Sequence, residues 1–196
     1  MSIPLLSVEE FYASVPPYGV IADRLEKGLV IPFLGAGVNF SRREPPAEWY
    51  KSAPFLPLGS ELSFYLADKS QFPYTDDCDH RDLAKVAAFY QDSSGRQPLC
   101  DELHEVFASP CPTCSIHDCL AEIPQLRLII TANYDELIEQ AFKSAKRPYH
   151  LVIYPTDSER FGERILHWKY DPQSPCAAFE PELVPPGDLV DCRISF

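Results

Sequence analysis

Two short apolar runs constrain this chain more than anything else in it. Leu29-Val30-Ile31-Pro32-Phe33-Leu34 and Leu126-Arg127-Leu128-Ile129-Ile130-Thr131 have strand length and branched residues, lack steady polar alternation, and each ends at a turn. Strands of this kind with helices between them predict a mostly parallel, Rossmann-like α/β sheet with helices on both faces. Pro32 has no N–H for a ladder, so the first strand is expected to be irregular there. Ligands of such sheets sit beyond the carboxyl ends of the strands. That singles out Gly35-Ala36-Gly37-Val38-Asn39 and Thr131-Ala132-Asn133-Tyr134-Asp135.

Apolar spacing predicts helices over 20–27, stopped by Gly28, and over 60–68, capped by Ser60 with Leu62, Tyr65 and Leu66 on one face. Further helices are expected over 81–91 (Leu83, Val86, Ala87, Tyr90), 98–108 (Leu99, Leu103, Val106, Phe107), 115–122 and 136–145. Strands are expected over 150–154 and 164–169. Twenty prolines against eight glycines crowd 45–57 and 172–186, which read as loops over a core. A length of 196 residues suits one domain, 1–196.

Charge and apolar content narrow the function classes. A net charge of -12 is poorly suited to neutralising phosphates, so no direct nucleic-acid binding is expected. No apolar run approaches the roughly 20 residues that span a bilayer, and the first residues lack a signal-peptide pattern, so the expectation is a cytoplasmic protein without a membrane partner. Seven cysteines, an odd set, read as reduced thiols. Cys111-Pro112-Thr113-Cys114 with His117 and Cys119 has the look of a compact zinc site. With a single CxxC and ligands inside a predicted helix, however, wrapping them around one ion is awkward, and no metal is expected.

Gly35-Ala36-Gly37 lets backbone N–H groups approach a phosphate with no Cβ in the way. Neither GxGxxG nor GxxxxGK[ST] is present, which argues against an ordinary dinucleotide dehydrogenase and a P-loop enzyme. Asn133 and Asp135 stand just past a buried strand, where an amide and a carboxylate can grip a carboxamide or a ribose while holding a water. Asp135 also reads as a helix cap, which leaves Asn133 over.

GAGVN, LGSELSFYLAD, IHDCLAEIP and ITANYDELIEQAF together resemble the Sir2-like (sirtuin-fold) domains of bacteria, above all the NAD-hydrolysing branch found in anti-phage defence proteins. The resemblance runs from about Val30 to Ile153 and implies a Sir2-like fold without a zinc module, with NAD+ as substrate. It implies that Gly35, Ala36 and Gly37 cradle the dinucleotide phosphates, that Asn39 lies near the ribose or phosphates, and that Arg42 and Arg43 add contacts to phosphate. Asn133 would orient the ribose or the attacking water, and Asp135 would hold the carboxamide. His117 matches a structural histidine of the family. Val38-Asn39-Phe40-Ser41-Arg42-Arg43 and the Asn-Tyr-Asp segment depart from the deacylase pattern, which leaves NAD-dependent protein deacylation as a lesser alternative.

The family's catalytic histidine sits in a Lys-x-His-Gly segment. Two readings stand here: His167 takes that role although Trp168 replaces the glycine, or 188–196 is the strand leading into it and the domain is truncated. The second would make the chain a module that binds NAD or ADP-ribose without turnover. A free-running hydrolase drains the cell's cofactor, so the resemblance also implies an abortive-infection effector gated by a protein partner or by homo-oligomerisation.

Overall fold

A computed structural model describes residues 16–43, 47–73, 77–155, 161–174 and 181–185. In it the two apolar runs meet as parallel neighbours. β1 (Phe33–Leu34) pairs with β2 (Ile130–Thr131) in the register Phe33↔Ile130 and Leu34↔Thr131. Bonds of 2.9 Å from Ile130 N to Pro32 O and from Ala132 N to Leu34 O flank that pairing. Pro32 thus opens the ladder with its carbonyl, where no N–H is needed, and regular strand begins one residue later than the apolar run does.

Among the described residues one α-helix precedes β1 and five lie between β1 and β2. Preceding β1, α1 (Tyr18–Glu26) buries no residue fully, and only Leu25 packs at the rim of the core. It ends at Gly28, whose φ of 66° and whose backbone leave no room for a side chain: a Cβ there would stand 2.4 Å from the Gln125 carbonyl oxygen. After β1, a 3-10 helix (Ala36–Arg42) leads into the proline-rich stretch, of which 47–58 carries no regular element. Next come α2 (Gly59–Ser70), α3 (Asp77–His80), α4 (Leu83–Ser94) and α5 (Arg96–Phe107). Their stripes form a helical core of Leu62, Leu66, Ala67, Val86, Tyr90, Leu99 and Val106.

Caps set these boundaries. Asp82 accepts the Ala84 and Lys85 N–H groups (3.1 and 3.2 Å) and starts α4. Ser60 falls inside α2 rather than capping it; Glu61 does that work by accepting the Leu58 N–H at 2.7 Å. Gly95, at φ 94°, turns α4 into α5.

A second core surrounds the parallel pair. Leu34, Leu126 and Ile129 point into it beside Leu120 and Ala121 of α6 (Ser115–Glu122) and Ile138, Ala141 and Phe142 of α7 (Leu137–Ser144). The opposite face of the pair is bare among the described residues: Leu29, Ile31, Phe33 and Ile130 are all exposed, Phe33 by 69%. A mixed α/β fold is therefore present, with a parallel portion of two strands and helices described on one face only.

The last strands differ in kind. β3 (Tyr149–Ile153), β4 (Ile165–Tyr170) and β5 (Glu182–Val184) form a separate antiparallel sheet in that order. Only residues 154–164 join β3 to β4, fewer than the dozen or more that a parallel crossover takes. The strand expected over 188–196 lies outside the described residues. Among those residues no helix is long and apolar enough to cross a membrane.

Arg147, just past α7, ties the second core together. Its guanidinium donates to the carbonyls of Ile123 (2.6 Å), Ala121 (3.2 Å) and Leu126 (2.5 Å) and lies 4.9 Å from the centre of the Phe142 ring. It closes the carbonyl end of α6 and the approach to β2 in one stroke. Replacing it with Met keeps the aliphatic packing and orphans those carbonyls, so Arg147→Met should lower unfolding free energy by about 2 kcal/mol in urea titrations. A loss below ~0.5 kcal/mol would show that water replaces the guanidinium freely.

Candidate functional site

Parallel pairing brings the ends of β1 and β2 to the same edge, and the polar residues beyond them meet. Asn39, on the 3-10 helix, is 4% exposed and donates from Nδ2 to Asp135 Oδ2 at 3.0 Å. The other carboxylate oxygen, Oδ1, accepts the Leu137 N–H at 3.1 Å, so Asp135 also starts α7. Asn133 N–H is held by Thr131 Oγ1 at 3.0 Å. The Cys114 thiol lies 3.7 Å from the Asn39 carbonyl oxygen.

Two features of this cluster point to a ligand. Asn39 Oδ1 and Asn133 Oδ1 are buried and without a hydrogen-bond partner among the described residues. Leaving such an acceptor unmatched costs about 1–3 kcal/mol, and a fold retains it most readily where a bound group supplies the donor. Gly35 and Gly37 supply the second feature: neither has a positive φ, and a Cβ on either would meet nothing within 4 Å. Packing does not demand glycine there. Bare backbone there leaves room for a group to approach the N–H groups closely.

Burial and one carboxylate set the electrostatics. Burial pushes the Cys111 thiol up, and the Asp135 charge and Cys114 add to it, so Cys111 stays protonated. Burial lowers His117, partly offset by Asp135 and Asp118. His117 Nδ1 accepts the Cys114 N–H at 3.1 Å, which assigns its proton to Nε2 and ties it to the start of α6. Among the described residues no three His, Cys, Asp or Glu side chains converge as metal ligands, and Cys119 is exposed whereas Cys111 and Cys114 are buried.

The chain matches no protein-family model, no curated protein and no solved structure. Its functional reading therefore rests on residues and geometry. The structure gathers Gly35, Ala36, Gly37, Asn39, Asn133 and Asp135 at one edge. It turns Arg43 elsewhere: the buried guanidinium meets Glu61 Oε1 at 2.7 Å, donates to the Leu56 carbonyl and stacks 4.5 Å from the Phe55 ring centre. Burial works against the Glu61 carboxylate, but Arg43 and the Leu58 and Trp49 N–H groups together hold its pKa below the ordinary value. The Arg42 side chain lies outside the described residues.

His167 is on β4, buried, with Nε2 2.8 Å from His150 Nδ1 and Nδ1 4.0 Å from Glu182 Oε2. It makes no hydrogen bond to Asn39, Asn133 or Asp135. Two residues escaped the sequence reading. His150 is one, buried enough that its pKa falls, with His167 and Lys169 lowering it further. Glu139 is the other: burial raises its carboxyl from 4.5 to about 7. Its place beside Ile138 on the edge of the inward stripe was the available signal. On the outer side, Tyr134 packs 5.5 Å from the Phe107 ring in a groove of about 510 Å³, with His104, Glu136 and Gln140 also lining it.

Two measurements follow from these placements. Removing Arg43 strands Glu61 and frees the loop, so Arg43→Leu should lower stability by about 3 kcal/mol, read in chemical denaturation; unchanged stability would return Arg43 to a ligand-binding role. For Glu139 the folded state prefers the proton. Wild-type stability is thus full below about pH 4.5 and falls as pH rises through about 7. Glu139→Gln should be more stable than wild type by up to about 3 kcal/mol at pH 8 and equal to it at pH 4. Equal stability at both would refute the raised pKa.

Proposed function

We propose that this chain is a Sir2-like NAD+ hydrolase that cleaves the nicotinamide glycosidic bond to nicotinamide and ADP-ribose. The observation that carries the reading is the pair of buried, unmatched amide oxygens of Asn39 and Asn133 beside Asp135, at the carboxyl edge of the parallel strands. An amide oxygen accepts, so it suits a ribose hydroxyl, a carboxamide N–H or a water. Rossmann-like placement of Gly35-Ala36-Gly37 at the same edge fits phosphates approaching bare backbone. Breaking the bond leaves positive charge on the ribose, and Asp135 is the carboxylate held there, fixed on both oxygens before substrate arrives. Asn133 orients the attacking water.

The wider reading keeps the same frame. Such an enzyme works in the cytoplasm as an effector of anti-phage defence, with activity gated by a protein partner or by self-association. A second reading, a module that binds NAD or ADP-ribose without cleaving it, is favoured by the placement of His167 against His150 and Glu182.

Incubating the purified chain with NAD+ and following nicotinamide release decides between them. Cleavage is expected, and Asn133→Ala should reduce it by about 10²-fold or more. Binding of NAD+ without release would favour the second reading, and absence of both binding and release would overturn both.

A further inference from the structure

The segment that carries the candidate site has a second side. Asp135 turns toward Asn39 and Asn133 buries its amide oxygen, whereas the ring between them turns outward: Tyr134 is 73% exposed. It lies 5.5 Å from the Phe107 ring at an interplanar angle of 44°. The two rings wall the groove of about 510 Å³ between the end of α5 and the start of α7.

Polar groups beside the rings are uncommitted. Glu136 and Gln140 line the same groove one helical turn apart, the Gln140 N–H donating to the Glu136 carbonyl at 2.9 Å. Among the described residues neither side chain has a hydrogen bond or an ion pair, and the Tyr134 hydroxyl has none either. The α5 carboxylates Glu102 and Glu105, by contrast, are both paired with Lys51. No lysine or arginine is among the described residues lining the groove, so Glu136 leaves it with a negative end. That charge reaches Glu139 and Tyr149 and helps to raise both.

We propose that this groove docks an arginine side chain from a basic segment of a protein partner. A guanidinium is flat and cationic and carries five donors in a fixed fork. Its face stacks on the aromatic rings, while its edge donates two N–H groups to the Glu136 carboxylate and one to the Gln140 amide oxygen. A lysine ammonium has no face to lay on a ring, a phosphate meets the Glu136 charge, and an apolar side chain leaves Glu136 and Gln140 unused. A net charge of -12 draws a basic segment in from a distance. Occupancy holds Tyr134, and with it the Asn133 and Asp135 that flank it in the chain, in one arrangement. Docking thereby raises turnover, a consequence that rests on the reading of Asn133 and Asp135 as residues that cleave NAD+.

Titrating a capped Gly-Arg-Gly peptide into the full chain at low salt, with NMR of the Tyr134 and Phe107 ring protons, tests the docking without NAD+. Both rings should shift, a Gly-Lys-Gly peptide should bind roughly tenfold more weakly, and Glu136→Gln should weaken the arginine peptide by about tenfold. With NAD+ present, the arginine peptide should raise nicotinamide release several-fold in the wild type and not in Glu136→Gln, whose basal release stays unchanged. Rings that do not shift, or that shift equally with Gly-Lys-Gly, Gly-Phe-Gly or adenosine, would overturn the docking. Shifts that grow with protein concentration alone would give the groove to a second copy of the chain and overturn it too. Arginine-specific binding that leaves an existing release unchanged would overturn the effect on turnover. The same binding in a chain that releases no nicotinamide with or without peptide would uphold the docking and overturn the cleavage reading.

Discussion

One hydrogen bond, from Asn39 Nδ2 to Asp135 Oδ2, holds the rest of the candidate site in place. It joins residues 96 apart in sequence, one beyond each parallel strand. On the Asn39 side, the 3-10 helix is anchored downstream by Arg43, which is clamped to Glu61, which in turn fixes the starts of the 47–58 loop and of α2 through the Trp49 and Leu58 N–H groups. On the Asp135 side, the second carboxylate oxygen begins α7, whose apolar stripe packs into the sheet core. The bond therefore couples the helical core to the sheet core at the point where the polar residues converge. Leu56, Cys111 and Leu137 form a small apolar cluster of their own that bridges the two cores.

Around that bond the Asp135 carboxylate acts on neighbours that burial works to keep neutral. Cys111 is kept protonated and His117 is pressed toward neutrality by burial, while Asp135 pulls on both. A fixed carboxylate among neutral groups of low polarity interacts more strongly with a developing cation than it would in water. The same logic keeps Glu139 largely protonated on the acid side of neutrality, since desolvation with two more acidic neighbours outweighs Lys143. Acidic groups that sequence reading treats as equivalent thus separate by environment: Asp135 bridges Asn39 and the start of α7, while Glu139 titrates near neutral pH.

Much of this was legible from residue order. Apolar periodicity placed six helices within a few residues of where they lie, because their stripes pack on adjacent helices and so obey local spacing. It placed Ser60 wrongly as a cap, since the Glu61 carboxylate competes better for the Leu58 N–H. The meeting of Asn39 with Asp135 was foreseeable only from the rule about strand ends, whereas the inward turn of Arg43 depends on Phe55 and Leu56, in a proline-rich loop whose path no periodicity describes. Strand direction after Ile153 was equally hidden, because alternation marks a strand and not its partner. His150 and His167 lie seventeen positions apart and touch only through the antiparallel register that sets Val152 opposite His167.

The bare face of the parallel pair bears on how the chain behaves in solution. Among the described residues Leu29, Ile31, Phe33 and Ile130 offer exposed hydrocarbon to water, while a net charge of -12 pushes copies of the chain apart. Salt screens that repulsion beyond about 8 Å at physiological ionic strength and leaves the attraction between apolar strips intact. Ionic strength thereby becomes the dial that sets the colloidal state of the protein, with dispersed molecules at its low end and association growing toward its high end.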